Sequence, residues 1–161
     1  MSWRSRSVRV AVACLLQLVL VGVAVAPSLS ARVTGEEYRL AVAPVDPVDP
    51  FRGAYVTLSY PDLTQARGDG SSLSGIVFVP LEPVAGSDLW RGRPAQSQRP
   101  ARGPYLRCNA DSWRLRCGIE SLFASQDTAS RLERELLDGA VATIRVDRRG
   151  NAAVLGVQPD R

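Results

Sequence analysis

A chain of 161 residues with a formal net charge of +4 has room for one hydrophobic core and little for a second. All twenty basic residues are arginine; without histidine or lysine, the sequence excludes Ser-His-Asp and Cys-His catalysis, imidazole metal ligation, Ser-Lys dyads and Schiff bases. Arg4, Arg6, Arg9 and Arg32 flank an N-terminal apolar segment, whereas the sixteen arginines after Val33 balance sixteen carboxylates, so the folded part is neutral and carries no nucleic-acid footprint.

Val10–Ala26 is a run of seventeen residues broken only by Gln17, the length of a short membrane span or of a secretory signal core. The preceding arginines belong on the cytoplasmic side, which sends the remainder of the chain outward. Ala24-Val25-Ala26 has the form of a cleavage site, but Pro27 follows it and is expected to hinder signal peptidase; Ser28-Leu29-Ser30 is a weaker site. The expectation is a retained single-pass anchor over residues 1–31 and an extracytoplasmic domain over residues 32–161, with cleavage and secretion as the open alternative. Cys14 has too few apolar residues before it for a lipoprotein signal and reads as a packing residue.

Beyond Thr34-Gly35, which supplies a turn, Glu37–Ala43 alternates Tyr38, Leu40 and Val42 with smaller or polar partners, as a half-buried strand does. Pro44–Pro50 holds three prolines and is a rigid turn. Phe51–Tyr60 is a second strand, and Gly75–Leu81 a third whose unbroken apolar run implies that both faces are covered. Leu89–Arg91 is a short strand, and Pro94–Gly103 is a loop. Tyr105–Cys108 and Trp113–Ile119 read as a hairpin across Asn109–Ser112. Thr128–Asp138 has Asp127 as N-cap, Ala129, Leu132 and Leu136 on one face and Gly139 at C′, the pattern of a single amphipathic helix. Val141–Val146 and Ala152–Val157 close the chain as a hairpin across Asp147–Gly150. The fold class expected is α+β: an N-terminal transmembrane helix followed by one small, mainly antiparallel β domain with one amphipathic helix.

The string P-V-D-P-V-D-P-F-R-G-A-Y-V-T-L-S-Y at residues 44–60 resembles the GDYXXLXY family of membrane-anchored bacterial proteins. Thr34, Gly35 and Leu40 precede it at the family's spacing, Gly118-Ile119-Glu120 with Phe123 resembles its second block, and Val146–Gly150 resembles its closing hairpin. The family motif thus falls on Arg52, Gly53, Tyr55, Leu58, Tyr60, Gly118, Ile119 and Glu120. Ala54 stands where the motif has aspartate, Gln126 where a glutamate is expected and Cys117 where a tyrosine is expected. The resemblance implies an N-terminal hydrophobic segment, an exported domain and frequent gene neighbourhood with multi-pass membrane proteins; it implies no reaction.

Several side-chain groups invite a chemical reading beside a plainer one. Asp46 and Asp49 are paired carboxylates such as glycoside hydrolysis or Ca²⁺ binding uses, but Asp-Pro pairs also simply make turns, and no further oxygen ligands follow. Arg52 either clamps an anion or pairs with Asp49. Cys108 and Cys117, in one hairpin outside the cytoplasm, read as a disulfide, with two buried free thiols as the alternative. Trp113 with Arg114 and Arg116 reads as an amphipathic strand face in preference to a base-stacking surface. Tyr55 is out of phase with Leu58 and Tyr60 on a flat strand, so either both faces are buried or a bulge near Val56-Thr57 kinks it. No cofactor or metal is expected, and the oligomeric state stays open. The function expected is a non-enzymatic accessory domain that binds a membrane-protein partner or envelope component; the alternative is an envelope hydrolase using Asp46, Asp49 or Glu120.

Overall fold

The structure, a computed structural model, describes residues 3–44, 55–66, 73–111, 115–123 and 139–159. Helix α1, Trp3–Thr34, contains the apolar run and carries Pro27 inside it. From Val8 to Val33 its large apolar side chains are exposed, whereas Ala31 is fully buried. The helix continues through the expected turn residue Thr34, and Gly35 ends it by donating its N–H to the Ala31 carbonyl at 2.9 Å.

Strand β1, Glu36–Pro44, follows after that one residue. The remaining elements are β2 (Tyr55–Ser59), α2 (Pro61–Ala66), β3 (Gly75–Pro83), β4 (Trp90–Gly92), β5 (Tyr105–Ala110), β6 (Leu115–Arg116), β7 (Ser121–Phe123), β8 (Ala140–Val146) and β9 (Ala152–Pro159). They form one curled sheet in the order β6-β5-β3-β4-β1-β2-β7, with β8 beside β1 and β9 beside β8. Every described pairing is antiparallel except the short contact of β1 with β4.

The alternation read in β1 is the one that folds: Tyr38, Leu40 and Val42 are buried and enter a core with Leu58, Val77, Val79, Leu81, Leu106, Ile119 and Ile144. Because successive strand residues point to opposite faces, β3 likewise buries Val77, Val79 and Leu81 while Ile76 stays 53% exposed. The expectation that both faces of β3 are covered is therefore corrected; the second face is only partly shielded, by Phe78 edge-on to Tyr105.

Three further expectations change. The strand expected over Trp113–Ile119 shrinks, among the described residues, to Leu115–Arg116, because Gly118 takes a φ of +80° that no extended strand can hold. Asn109 and Ala110, expected in the turn, extend β5 and pair with Arg116 and Leu115. Helix α2 has no counterpart among the expected elements; Pro61 and Asp62 start it, and Leu63 is buried beneath it. The amphipathic helix expected over Thr128–Asp138 lies outside the described residues.

Candidate functional site

Two separated stretches, 55–60 and 117–123, meet at one edge of the sheet. β2 and β7 pair residue for residue, Tyr55 with Phe123, Val56 with Leu122 and Thr57 with Ser121. This one-to-one ladder has no bulge at Val56-Thr57, so the kinked alternative does not hold. The Leu58 N–H donates to the Glu120 carbonyl at 2.8 Å, and the Tyr60 hydroxyl donates to the Ile119 carbonyl at 2.9 Å. Leu58, Tyr60 and Ile119 are all buried.

Glu120 turns back on its own loop. Its carboxylate accepts the Cys117 N–H and the Gly118 N–H, the latter at 3.0 and 3.2 Å to its two oxygens. These are charge-assisted bonds that fix the tight turn, and they commit the carboxylate that the hydrolase alternative would use. No side-chain atom crowds Gly118, so glycine is required there by backbone angle and not by space. Next to this turn Cys117 is bonded to Cys108, at a Cα separation of 4.1 Å. The Asn109–Arg116 and Ala110–Leu115 pairs of β5 and β6 bring the two cysteines opposite one another. Burial, and then the nearby charge of Glu120, push the Tyr60 hydroxyl well above its ordinary pKa, so it stays a neutral donor.

A second constellation surrounds Asp147 in the β8–β9 turn, the one buried charged side chain among the described residues. Its carboxylate accepts the Ser30 hydroxyl of α1 at 2.6 Å, the Arg149 N–H at 2.8 Å, the Asn151 N–H at 3.0 Å and the Asn151 side-chain amide at 2.9 Å. Desolvation works to raise its pKa, but the bonds from Ser30, Asn151 and Arg149 outweigh it and hold the carboxyl below the ordinary value. The same turn is braced from β5: Tyr105 donates to the Arg148 carbonyl at 2.8 Å and the Arg107 N–H to the Gly150 carbonyl at 2.8 Å. Gly150, at φ +80°, has the Tyr105 ring within 2.6 Å of where a Cβ would stand. Arg99 lies over that ring at 5.2 Å and donates to the Arg148 carbonyl at 2.7 Å.

Sequence reasoning found this turn but missed what it binds. An aspartate two residues before an N–H it caps is a recognisable local pattern, whereas its partner Ser30 lies 117 residues away.

Leu58, Tyr60, Gly118, Ile119 and Glu120 are thus brought together, and Cys108 and Cys117 adjoin them. Tyr55 enters through its backbone pairing with Phe123. Asp46, Asp49, Arg52, Gly53 and Ala54, with Trp113, Arg114 and Gln126, lie outside the described residues. Among the described residues no three His, Cys, Asp or Glu side chains gather as a metal site. A family model described as GDYXXLXY protein matches residues 17–157. The chain belongs to the GDYXXLXY family. No curated protein and no solved structure matches it. The GDYXXLXY match takes in the C-terminal half of α1 together with the sheet, so the Ser30–Asp147 joint falls within the family's own bounds.

Proposed function

We propose that this GDYXXLXY protein is a non-enzymatic accessory domain, held in the cell membrane by α1 with its sheet on the extracytoplasmic side, which binds a multi-pass membrane protein or other envelope component. The observation that carries this reading is the double character of α1. Ser7–Thr34 contains a stretch of mean hydropathy 2.5 with nothing buried against the sheet, yet its last turns are bonded to β8, β9 and the turn between them through Ser30 and Arg32, and Ala31 is fully buried. Cleavage at the Ser28-Leu29-Ser30 site would remove Ser30 and with it the bond to Asp147. Arg4, Arg6 and Arg9 at the other end support the outward orientation of the sheet.

The hydrolase reading is weaker because Glu120 already serves the Cys117–Gly118 turn. Gentle detergent extraction of the tagged full chain tests the proposal: a stoichiometric multi-pass partner is the expected outcome. An envelope-cleaving activity lost in a folded Glu120→Gln variant would overturn it.

A further inference from the structure

The end of α1 and the Asp147 turn enclose an open groove of about 510 Å³ lined by Ser30, Thr34, Asp147, Arg148 and Arg149. It adjoins a second groove, of about 410 Å³, where Arg102 and Arg99 from the Pro94–Gly103 loop face the same turn. Arg39, Arg91, Arg93, Arg116 and Arg145 each meet a carboxylate. By contrast the guanidinium groups of Arg102, Arg148 and Arg149 are exposed and make no hydrogen bond or ion pair among the described residues. Neither acid bordering the grooves among the described residues is ion-paired with these arginines. Asp147 is engaged inside its turn, and Glu36 accepts the Tyr38 hydroxyl at 3.0 Å.

The depth of these arginines follows from α1. With a rise of ~1.5 Å per residue, the roughly 20 residues needed to cross the hydrocarbon core run from Val10 to about Leu29, which puts Ser30 at the start of the headgroup layer. The headgroup layer begins at the edge of a hydrocarbon core ~30 Å thick and is itself roughly 5–7 Å deep on each side. Ser30 is bonded to Asp147, so an α1 that spans the bilayer carries Arg148 and Arg149 to the headgroup layer. We propose that Arg148, Arg149 and Arg102 bind the headgroup phosphate of an anionic phospholipid in the leaflet where α1 ends, an inference that rests on α1 being a membrane span. Planar guanidinium groups suit the chemistry because each can offer two parallel N–H donors to a phosphate.

The test reconstitutes the full chain in nanodiscs of phosphatidylcholine alone or with phosphatidylglycerol added, and follows amide exchange over residues 99–105 and 147–151. Phosphatidylglycerol should slow exchange about fivefold per engaged arginine, the equivalent of ~1 kcal/mol for each near an anionic surface, and added salt should reverse it. Arg148→Gln with Arg149→Gln, and separately Arg102→Gln, should exchange like the parent in phosphatidylcholine and lose the response to phosphatidylglycerol. Equal exchange of the parent in both discs overturns the lipid site while leaving the anchor intact. The same slowing by inorganic phosphate in phosphatidylcholine discs would assign the site to free phosphate and also overturn it. A chain that enters neither disc brings down the reading of α1, and this inference with it.

Discussion

Tyr60 and Leu58 join two parts of the sequence by different physics, and their substitutions separate the two. Leu58→Ala removes buried methyl groups and should cost roughly 2–5 kcal/mol in urea unfolding, the usual range for a leucine cavity. Tyr60→Phe keeps the ring but strands the Ile119 carbonyl without its donor, a loss of about 1–3 kcal/mol. If Leu58→Ala unfolds like the parent while partner capture disappears, the motif is a binding surface and not a core joint.

Tyr60 also predicts a pH dependence. Its pKa in the fold is raised above the ordinary 10.0, so its contribution is complete below pH 10 and is lost as pH climbs toward the folded value. Tyr38, pushed up to about 12 by burial and then by Glu36, adds to the same alkaline limb. Asp147 has the opposite sign: its lowered pKa gives stability above the ordinary value of 3.8 that fades as pH falls below it. Asp147→Asn should therefore be destabilised at neutral pH and converge on the parent in strong acid, as followed by circular dichroism. That Leu58 and Tyr60 would be core was legible from their apolar character. The role of Glu120 was not, because a carboxylate that caps its own loop reads in sequence like any exposed acid.

Among the elements, apolar strands bounded by turn residues were the readable ones. β1, β5, β8 and β9 fall where the pattern of apolar residues puts them, give or take a residue or two at each end. β6 was overdrawn because the apolar spacing of Leu115, Cys117 and Ile119 continues past the point where Gly118 breaks the strand. In β9 an extra residue, Leu155, is accommodated as Thr143 pairs with Gly156 and Ile144 with Val154; such a bulge has no marker in hydrophobic pattern. The Cys108–Cys117 bridge closes a short loop and should contribute on the order of 2–3 kcal/mol. Intact mass of the purified chain after alkylation without reductant checks it: Cys108 and Cys117 should remain unmodified, and two added alkyl groups there would refute the bridge.

On the scale of the molecule, the sequence disclosed a helix, a mainly antiparallel sheet and one core, but not the strand order. β1 pairs with β8 from Glu36–Val146 to Val42–Ala140, and nothing local to either strand announces a partner about a hundred residues distant. The same long-range pairing sets α1 against the sheet, since Arg145 of β8 donates to the Arg32 carbonyl at 2.7 Å. Cleavage after Ser30 would remove the Ser30–Asp147 half of this joint, whereas cleavage before Pro27 would leave it whole. Because Pro27 follows the better cleavage site, N-terminal sequencing of the membrane-extracted protein should begin ahead of Val10; a start at or just after Pro27 or Ala31 would refute retention of the anchor.

Only Gly35 separates the last residue of α1 from the first of β1, and a Cβ there would stand 2.3 Å from the Ala31 carbonyl oxygen. The connection is a weld and not a tether. Helix and sheet must then tumble as one body, so with the chain reconstituted in a bilayer a spin label on an exposed β9 residue such as Leu155 should report the slow rotation of the helix. Inserting a flexible glycine-serine segment after Gly35 should release a fast component in that spectrum. A domain mounted in this way has lost its swivel before it meets anything, so a partner approaching in the plane of the membrane would find its face already aimed, with less orientational freedom left to freeze on contact.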